Sequence, residues 1–263
     1  MGILNITPDS FGDAESRLDP GRALDAALRM EADGADLIDV GGESTRPGAD
    51  SVPVGEELAR VVPVLRGLRE RLSVPISIDT SKADVARAAL DLGAGIVNDV
   101  SGLRGDPALA PLVAELGAAL VVMHTRGRPK SMYAQALYQD VVAEVAAELK
   151  ATMAMANDAG VRNEQMTVDP GIGFAKRPEH SYGVLAGLAR LAAAVGRPVL
   201  VGPSRKSFMR VALQDRPASE RDWGTAAAVT AAVLAGAHIV RVHAVAEMVQ
   251  VVRVAEEIRR NGT

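Results

Sequence analysis

Short apolar runs rich in β-branched residues recur along the chain, each followed by a polar cluster and then by a longer segment with helical spacing. The runs are Gly2–Asn5, Asp36–Val40, Val74–Asp79, Gly95–Asn98, Ala119–His124, Gln165–Asp169, Pro198–Gly202 and His238–His243, which predict eight strands. Between them, Asp19–Gly34, Glu56–Leu72, Lys82–Gly93, Asp106–Gly117, Gln139–Gly160, Tyr182–Gly196 and Thr225–Gly236 read as helices, several closing on the Gly that follows a helix end. Alternation of strand and helix implies a parallel sheet, and eight units are what closes a (β/α)8 TIM barrel. The expectation is one α/β domain over residues 1–263. An open doubly wound sheet is the alternative, against which no Gly-x-Gly-x-x-Gly follows a strand and opens a helix.

The strand ends carry polar groups: Asn5, Asp39, Asp79, Asn98, His124, Asp169, Ser204, then Arg241 with His243. Side chains alternate across a strand, so Ser77 and Asp79 face away from Ile76 and Ile78, and Arg241 and His243 away from Val240 and Val242. Each polar group alone is equally well a cap or turn residue. Together at the C-terminal rim of a barrel, where active sites sit, they favour a polar ligand. Two connections, Ile6 to Arg17 and Gly41 to Gly55, lack helical spacing and are longer than ordinary βα loops, so they read as two long loops at that rim.

Composition narrows the partners. With 29 Lys and Arg against 33 Asp and Glu, the net charge is −4, and three Phe, three Tyr and one Trp are too few for a base-stacking surface, so no nucleic-acid partner is expected. The absence of Cys excludes disulfides, thiolate metal sites and a Cys nucleophile, and fits a cytoplasmic protein. No signal peptide is visible at the N-terminus. The longest uncharged run, Trp223–Val240, is interrupted by Gly236 and His238 and reads as an Ala-rich buried helix followed by a strand, not as a membrane span.

Seven blocks in order resemble the bacterial dihydropteroate synthase family. They are Met1 to Phe11, Asp39 to Gly48 (with Glu43-Ser44-Thr45-Arg46-Pro47), Ser77 to Thr80, Asn98 to Gly102, Asp169 to Phe174, Gly202 to Phe208, and Arg241-Val242-His243. The resemblance implies a transferase of folate biosynthesis that joins (7,8-dihydropterin-6-yl)methyl diphosphate to p-aminobenzoate with Mg2+, releasing 7,8-dihydropteroate and diphosphate. It also implies a sulfonamide target and a homodimer. By the same resemblance Asp79, Asn98, Met123, Asp169, Gly202 and Lys206 line a pterin pocket. Phe11, Thr45, Arg46, Pro47, Phe174, Ser204 and Lys206 hold p-aminobenzoate; Asn5, Arg46, Arg241 and His243 hold diphosphate; and Asn5 with Asp9 contacts the metal. Asp79, Asp169, Lys206, Arg241 and His243 are the expected catalytic set.

The residue types suit that chemistry. A pterin edge presents an amino group and ring N–H donors, which carboxylates accept, while the Asn98 amide serves either kind of atom. Diphosphate leaves only when its charge is neutralised, for which cations and a Mg2+ that keeps several waters are suited. No protein nucleophile is needed, and no Gly-x-Ser-x-Gly elbow exists. Ser204 precedes a stretch read as helical, whose N-terminus would hold the p-aminobenzoate carboxylate.

His124 is open between a structural and a functional role. Arg126, Arg128 and Lys130 read as a solvated basic loop. Two departures stand out: Gly12-Asp13-Ala14-Glu15 where the family has Ser-Asp-Gly-Gly, and Ala244 where it has Asp, a carboxylate expected near the anion site. They leave room for a catalytically silent pterin-binding paralogue. The other rival, a pterin-dependent corrinoid methyltransferase, is disfavoured by the Thr45-Arg46-Pro47, Ser204-Arg205-Lys206 and Arg241-Val242-His243 blocks, and a metal-dependent hydrolase by the lack of a His-x-His pair.

Overall fold

All eight apolar runs form strands, and all eight run parallel. The computed structural model describes residues 1–7, 19–44, 50–127 and 132–262. Within these, the strands are β1 Gly2–Asn5, β2 Ile38–Gly41, β3 Ile76–Asp79, β4 Ile96–Asp99, β5 Ala119–Met123, β6 Met166–Asp169, β7 Leu200–Val201 and β8 Ile239–Val240. The helices are α1 Pro20–Ala32, α2 Val54–Leu68, α3 Ala83–Asp91, α4 Leu109–Leu116, α5 Val141–Asp158, α6 Pro178–Ala186, α7 Leu188–Val195, α8 Arg210–Leu213, α9 Asp222–Leu234 and α10 Val245–Asn261.

β1 to β6 pair in sequence order and β7 pairs with β8. Parallel bridges join Val168 to Val199 and Gly2 to Val242 at the two remaining seams. Backbone bonds from Val168 N to Pro198 O and from Ile3 N to Val242 O, both 2.9 Å, hold them. Every strand therefore has two neighbours and the sheet closes on itself, which excludes the open doubly wound alternative.

Closure explains the double burial of the strands. Leu4, Val40, Ile78, Val97, Leu120, Val122 and Val168 are buried toward the helices. The opposite faces fill the barrel. At its N-terminal end Met1, Leu37, Ile96, Val121, Leu200 and Ile239 pack into an apolar plug. Two residues further along each strand the same interior face is reached again. From Leu37, Ile96, Val121, Leu200 and Ile239 that step arrives at Asp39, Asn98, Met123, Gly202 and Arg241. Strand parity alone thus puts an apolar floor under a polar mouth.

Helix ends follow local chemistry. Asp140 caps α5 by accepting from Val142 N and Ala143 N, and Gly117 and Gly196 end α4 and α7 with φ of 66° and 63°, where a side chain would be strained. Two expectations are corrected. The helix expected over Tyr182–Gly196 starts earlier, at Pro178, and breaks at Gly187, where a Cβ would sit 2.6 Å from Val142 Cγ2 of α5. The helix expected to be buried after Trp223 is α9, but its outer stripe of Trp223, Ala227, Ala231 and Leu234 is exposed, Trp223 at 89%. None of the described helices is long and apolar enough to cross a membrane.

Candidate active site

Arg241, carried by the residue after β8, points across the barrel mouth and joins three strands. Its Nε donates to Asp39 Oδ2 at 2.5 Å and its Nη2 to Asp79 Oδ2 at 2.7 Å. Asn98 Nδ2 donates to the same Asp39 oxygen at 2.9 Å. Asp39, fully buried, thereby orients both the guanidinium and the amide. Glycine at 41 and at 202 leaves space beside them: a Cβ on Gly41 would lie 3.6 Å from Asn5 Oδ1 and 3.7 Å from Asp79 Cγ, and one on Gly202 would lie 3.9 Å from Lys206 Nζ.

Across the mouth, Asp169 ends β6 and accepts from Gly171 N at 2.7 Å. Gly171 has φ of 68° and approaches His124 so closely that a Cβ would stand 2.0 Å from the His124 carbonyl oxygen. The tight Asp169–Phe174 turn aims Ile172 O at Lys206, whose Nζ donates to it at 2.6 Å and lies 4.6 Å from the centre of the Phe174 ring. Met123 is buried beside this turn.

Burial dominates the electrostatics. Asp79 is pushed up to about 7 by burial and by the neighbouring carboxylates Asp39, Glu57 and Asp99, against the pull of Arg241. Burial also raises Asp169, opposed by Lys206, the Gly171 N–H, Arg241 and Lys176. Lys206 is brought down to about 8 by burial and Arg241, while Asp169 and Asp79 hold it up. Two carboxylates and two cations thus share one poorly solvated site, each controlling the charge of the others.

At the rim, Ser204 Oγ accepts from His243 N at 3.2 Å and lies 2.9 Å from His243 Nδ1. The hydroxyl thus holds both the backbone and the ring of His243 in place at the rim. Asn5, Asp79, Phe174, Lys206, Arg241 and His243 all line one cavity of about 960 Å³, large enough for two aromatic ligands.

The sequence profile described as pterin binding enzyme matches residues 1–243. The chain belongs to the pterin-binding enzyme family. It is 45% identical to the dihydropteroate synthase of Synechocystis sp., over 99% of this chain and 90% of that protein. Its fold matches the dihydropteroate synthase of Yersinia pestis, solved with a sulfonamide drug, with a TM-score of 0.93 at 40% identity, over 99% of this chain and 94% of the other. The Burkholderia cenocepacia dihydropteroate synthase, complexed with 7,8-dihydropteroate, matches with a TM-score of 0.88 at 44% identity, over 100% of this chain and 91% of the other.

In this pterin-binding enzyme the expected residues Asn5, Asp79, Asn98, Met123, Asp169, Phe174, Gly202, Ser204, Lys206, Arg241 and His243 gather at the barrel mouth. Asp9, Phe11, Thr45, Arg46 and Pro47 lie outside the described residues, as does Gly12-Asp13-Ala14-Glu15. Ser204 does not precede a long helix: a 3-10 turn at Ser207–Met209 and the four-residue α8 follow it, so a helix dipole offers little to an anion there.

Three features escaped the sequence reading. Asp39 was visible as a polar strand end, but only the bonds above reveal its orienting role. Arg126 is no solvated loop residue: it pairs with Glu148 and Glu144 and covers the Tyr138 ring at 4.0 Å. At the start of the second long loop, Lys82 Nζ pairs with both Glu43 and the fully buried Glu57, while Arg60 Nη1 donates to Gly42 O at 2.7 Å. That network anchors Gly42 and Glu43, from which the loop departs.

Ala244 occupies the N-cap of α10 and offers no side-chain bond to the helix. A carboxylate at this position accepts from the first-turn N–H groups, so its loss is a loss of helix capping. Ala244→Asp is expected to stabilise the protein by about 1 kcal/mol, raising the melting temperature by roughly 2–4 °C in a scanning-calorimetry comparison. An unchanged or lowered value would contradict the capping role.

Proposed function

We propose that this chain is a dihydropteroate synthase that condenses (7,8-dihydropterin-6-yl)methyl diphosphate with p-aminobenzoate. The observation that carries the reading is the cavity lined by Asp79, Lys206 and Arg241, with Asn98 bonded to the Asp39 that Arg241 also holds and Asp169 charge-coupled to Lys206 beside it. The amino group and ring N–H donors of the pterin face the carboxylates, and Lys206 donates to its acceptors. Lys206 also borders the second substrate, which stacks on Phe174. The diphosphate projects toward Asn5, Arg241 and His243 at the rim, where Ser204 bonds both the backbone and the ring of His243. By the family resemblance Thr45, Arg46, Pro47 and Phe11, which lie outside the described residues, would belong to the p-aminobenzoate and diphosphate sites.

The carbon–oxygen bond of the pterin CH2 breaks first, its electron pair leaving with diphosphate. The dihydropterin ring spreads the resulting positive charge, which Asp79 and Asp169 stabilise. The p-aminobenzoate nitrogen lone pair then forms the new C–N bond, and the nitrogen passes one proton to the released diphosphate or to water. Catalysis rests on charge complementarity, positioning and exclusion of water.

Mg2+ fits this arrangement through Asn5, whose Oδ1 borders the space beside Gly41 and Asp79. Asn5 would offer the ion a hard amide oxygen, and Asp9, outside the described residues, would add a carboxylate as the resemblance implies. When bound, the ion neutralises charge on the departing diphosphate.

The test is direct: both substrates and Mg2+ are incubated with the protein and the product is identified by mass. Formation of 7,8-dihydropteroate supports the synthase. Tight pterin binding without product would establish the silent paralogue, and methyl transfer from a methyltetrahydrofolate to a corrinoid would establish the methyltransferase.

The working unit is a homodimer formed through α9 and α10. Apolar residues run around most of α9, as on a helix buried on all sides, yet Trp223 and Leu234 are exposed, as are Val254 and Ile258 of the neighbouring α10. Sedimentation should give roughly twice 27.4 kDa for the native chain and 27.4 kDa for Trp223→Glu/Leu234→Glu. A dimer that survives the double substitution would move the interface elsewhere.

A further inference from the structure

Lys176 is a lysine with 1% exposure, deep behind the Asp169–Phe174 turn and outside every role assigned above. Its Nζ lies 2.7 Å from His124 Nδ1 and donates to Phe174 O at 3.2 Å. His124 continues outward, its Nε2 3.0 Å from Glu148 Oε2 on α5, and Glu148 is partly exposed on the outside of the barrel. His124 also holds the turn itself, donating from its backbone N to Asp169 O at 2.8 Å and packing its carbonyl on Gly171. A row of polar groups therefore runs from the carbonyl of Phe174, through Lys176 and His124, to the partly exposed Glu148 of the helical shell.

We propose that Lys176 is a positioning residue of the pterin subsite, acting through Asp169: its ammonium, seated on His124 and the Phe174 carbonyl, adds to Lys206 and Arg241 a buried positive charge that favours the Asp169 carboxylate. This rests on the pterin reading and deepens it. The charges facing Asp169 are Lys206, Arg241 and Lys176. Those facing Lys176 are Asp169, Lys206, Glu148 and Arg126, with His124 in contact.

The protonation states agree with the geometry. Burial, with Lys176 alongside, lowers His124 to about 4, so its imidazole is neutral and its Nδ1 accepts from the ammonium. The proton then sits on Nε2 and is donated to Glu148, which that bond and Arg126 hold down near about 2. Burial brings Lys176 itself to about 7, supported by Asp169, so the charge it lends is sensitive to its partners. An ammonium this deep is retained at a cost, which a role in the site explains better than packing does.

The sign of the effect is fixed. Removing a nearby positive charge favours the protonated carboxyl, so Asp169 would ionise at higher pH and the pterin would bind poorly on the acid side. Calorimetric titration with (7,8-dihydropterin-6-yl)methyl diphosphate is run from pH 5.5 to 8.5 on the native chain, Lys176→Met, His124→Asn and Glu148→Gln. The acid-side midpoint of affinity should move up by about one unit in Lys176→Met. The deficit should approach tenfold well below the native midpoint and disappear well above both midpoints.

Glu148→Gln, altered only at the outer end of the row, should move the midpoint the same way by a smaller amount, and it carries the test if Lys176→Met does not fold. His124→Asn keeps an acceptor where Nδ1 was and should retain most of the native profile. A pH-independent loss in Lys176→Met, or an unmoved midpoint in both charge variants, would overturn the proposal. If the native chain bound no pterin at all, the functional reading would fail instead.

Discussion

Arg241→Met is expected to lower kcat/KM for the pterin diphosphate by about 10²–10⁴-fold, the equivalent of ~3–5 kcal/mol for breaking a buried ion pair. The guanidinium bonds both Asp39 and Asp79, which are buried. Without it, two carboxyls confront each other inside the barrel, and Asp79, already pushed up to about 7, rises further. Asp79 would then meet the pterin donors as an acid, not as an anion. The diphosphate would also lose a cation.

The same change reorders stability with pH. A carboxyl whose folded pKa lies above its unfolded value contributes stability that is fully present below the unfolded pKa and is lost as pH rises through the folded one. The variant's melting temperature should therefore fall relative to the native chain as pH rises through and above about 7. Thermal unfolding from pH 5 to 9 checks this. A constant difference across that range would mean that Arg241 acts by packing and not by balancing Asp39 and Asp79.

Lys206→Ala is expected to impair both substrates. Its ammonium bonds Ile172 O, lies over the Phe174 ring and is the foremost opposing charge on Asp169. A hydrogen bond to a charged group is worth ~1.5–3 kcal/mol, which corresponds to about 10- to 150-fold. Losses of that size are expected in kcat/KM for the pterin diphosphate and in the KM for p-aminobenzoate, each determined with the other substrate saturating. A change confined to the pterin would show that Lys206 does not border the second substrate, and no change in either would remove it from the site.

Most of this architecture is legible in the sequence because barrel strands obey a period of two. The apolar residues Leu37, Ile96, Val121, Leu200 and Ile239 fix the phase of their strands, and Asp39, Asn98, Met123, Gly202 and Arg241 follow at the next inward position. Parity says which side chains face inward but not which of them bond each other. That is why Asp39 could be seen at a strand end without its hold on Arg241 and Asn98. Lys176 was hidden for a related reason: it sits in a turn, where no periodicity operates, and its burial depends on His124 and Glu148 from distant segments. The break at Gly187 depends on Val142 of α5, another contact that no local pattern encodes. Ala244 was read by its distance from His243, whereas its consequence lies in the helix that starts there.

Diphosphate release and 7,8-dihydropteroate formation, followed together in one reaction, test the central claim most directly. With the pterin diphosphate, p-aminobenzoate and Mg2+ present, the two products should appear in equal amounts, and withholding p-aminobenzoate should stop dihydropteroate formation. Diphosphate released without dihydropteroate while both substrates are present, or neither product despite bound pterin, would contradict the assignment of this barrel mouth to pterin–aminobenzoate condensation.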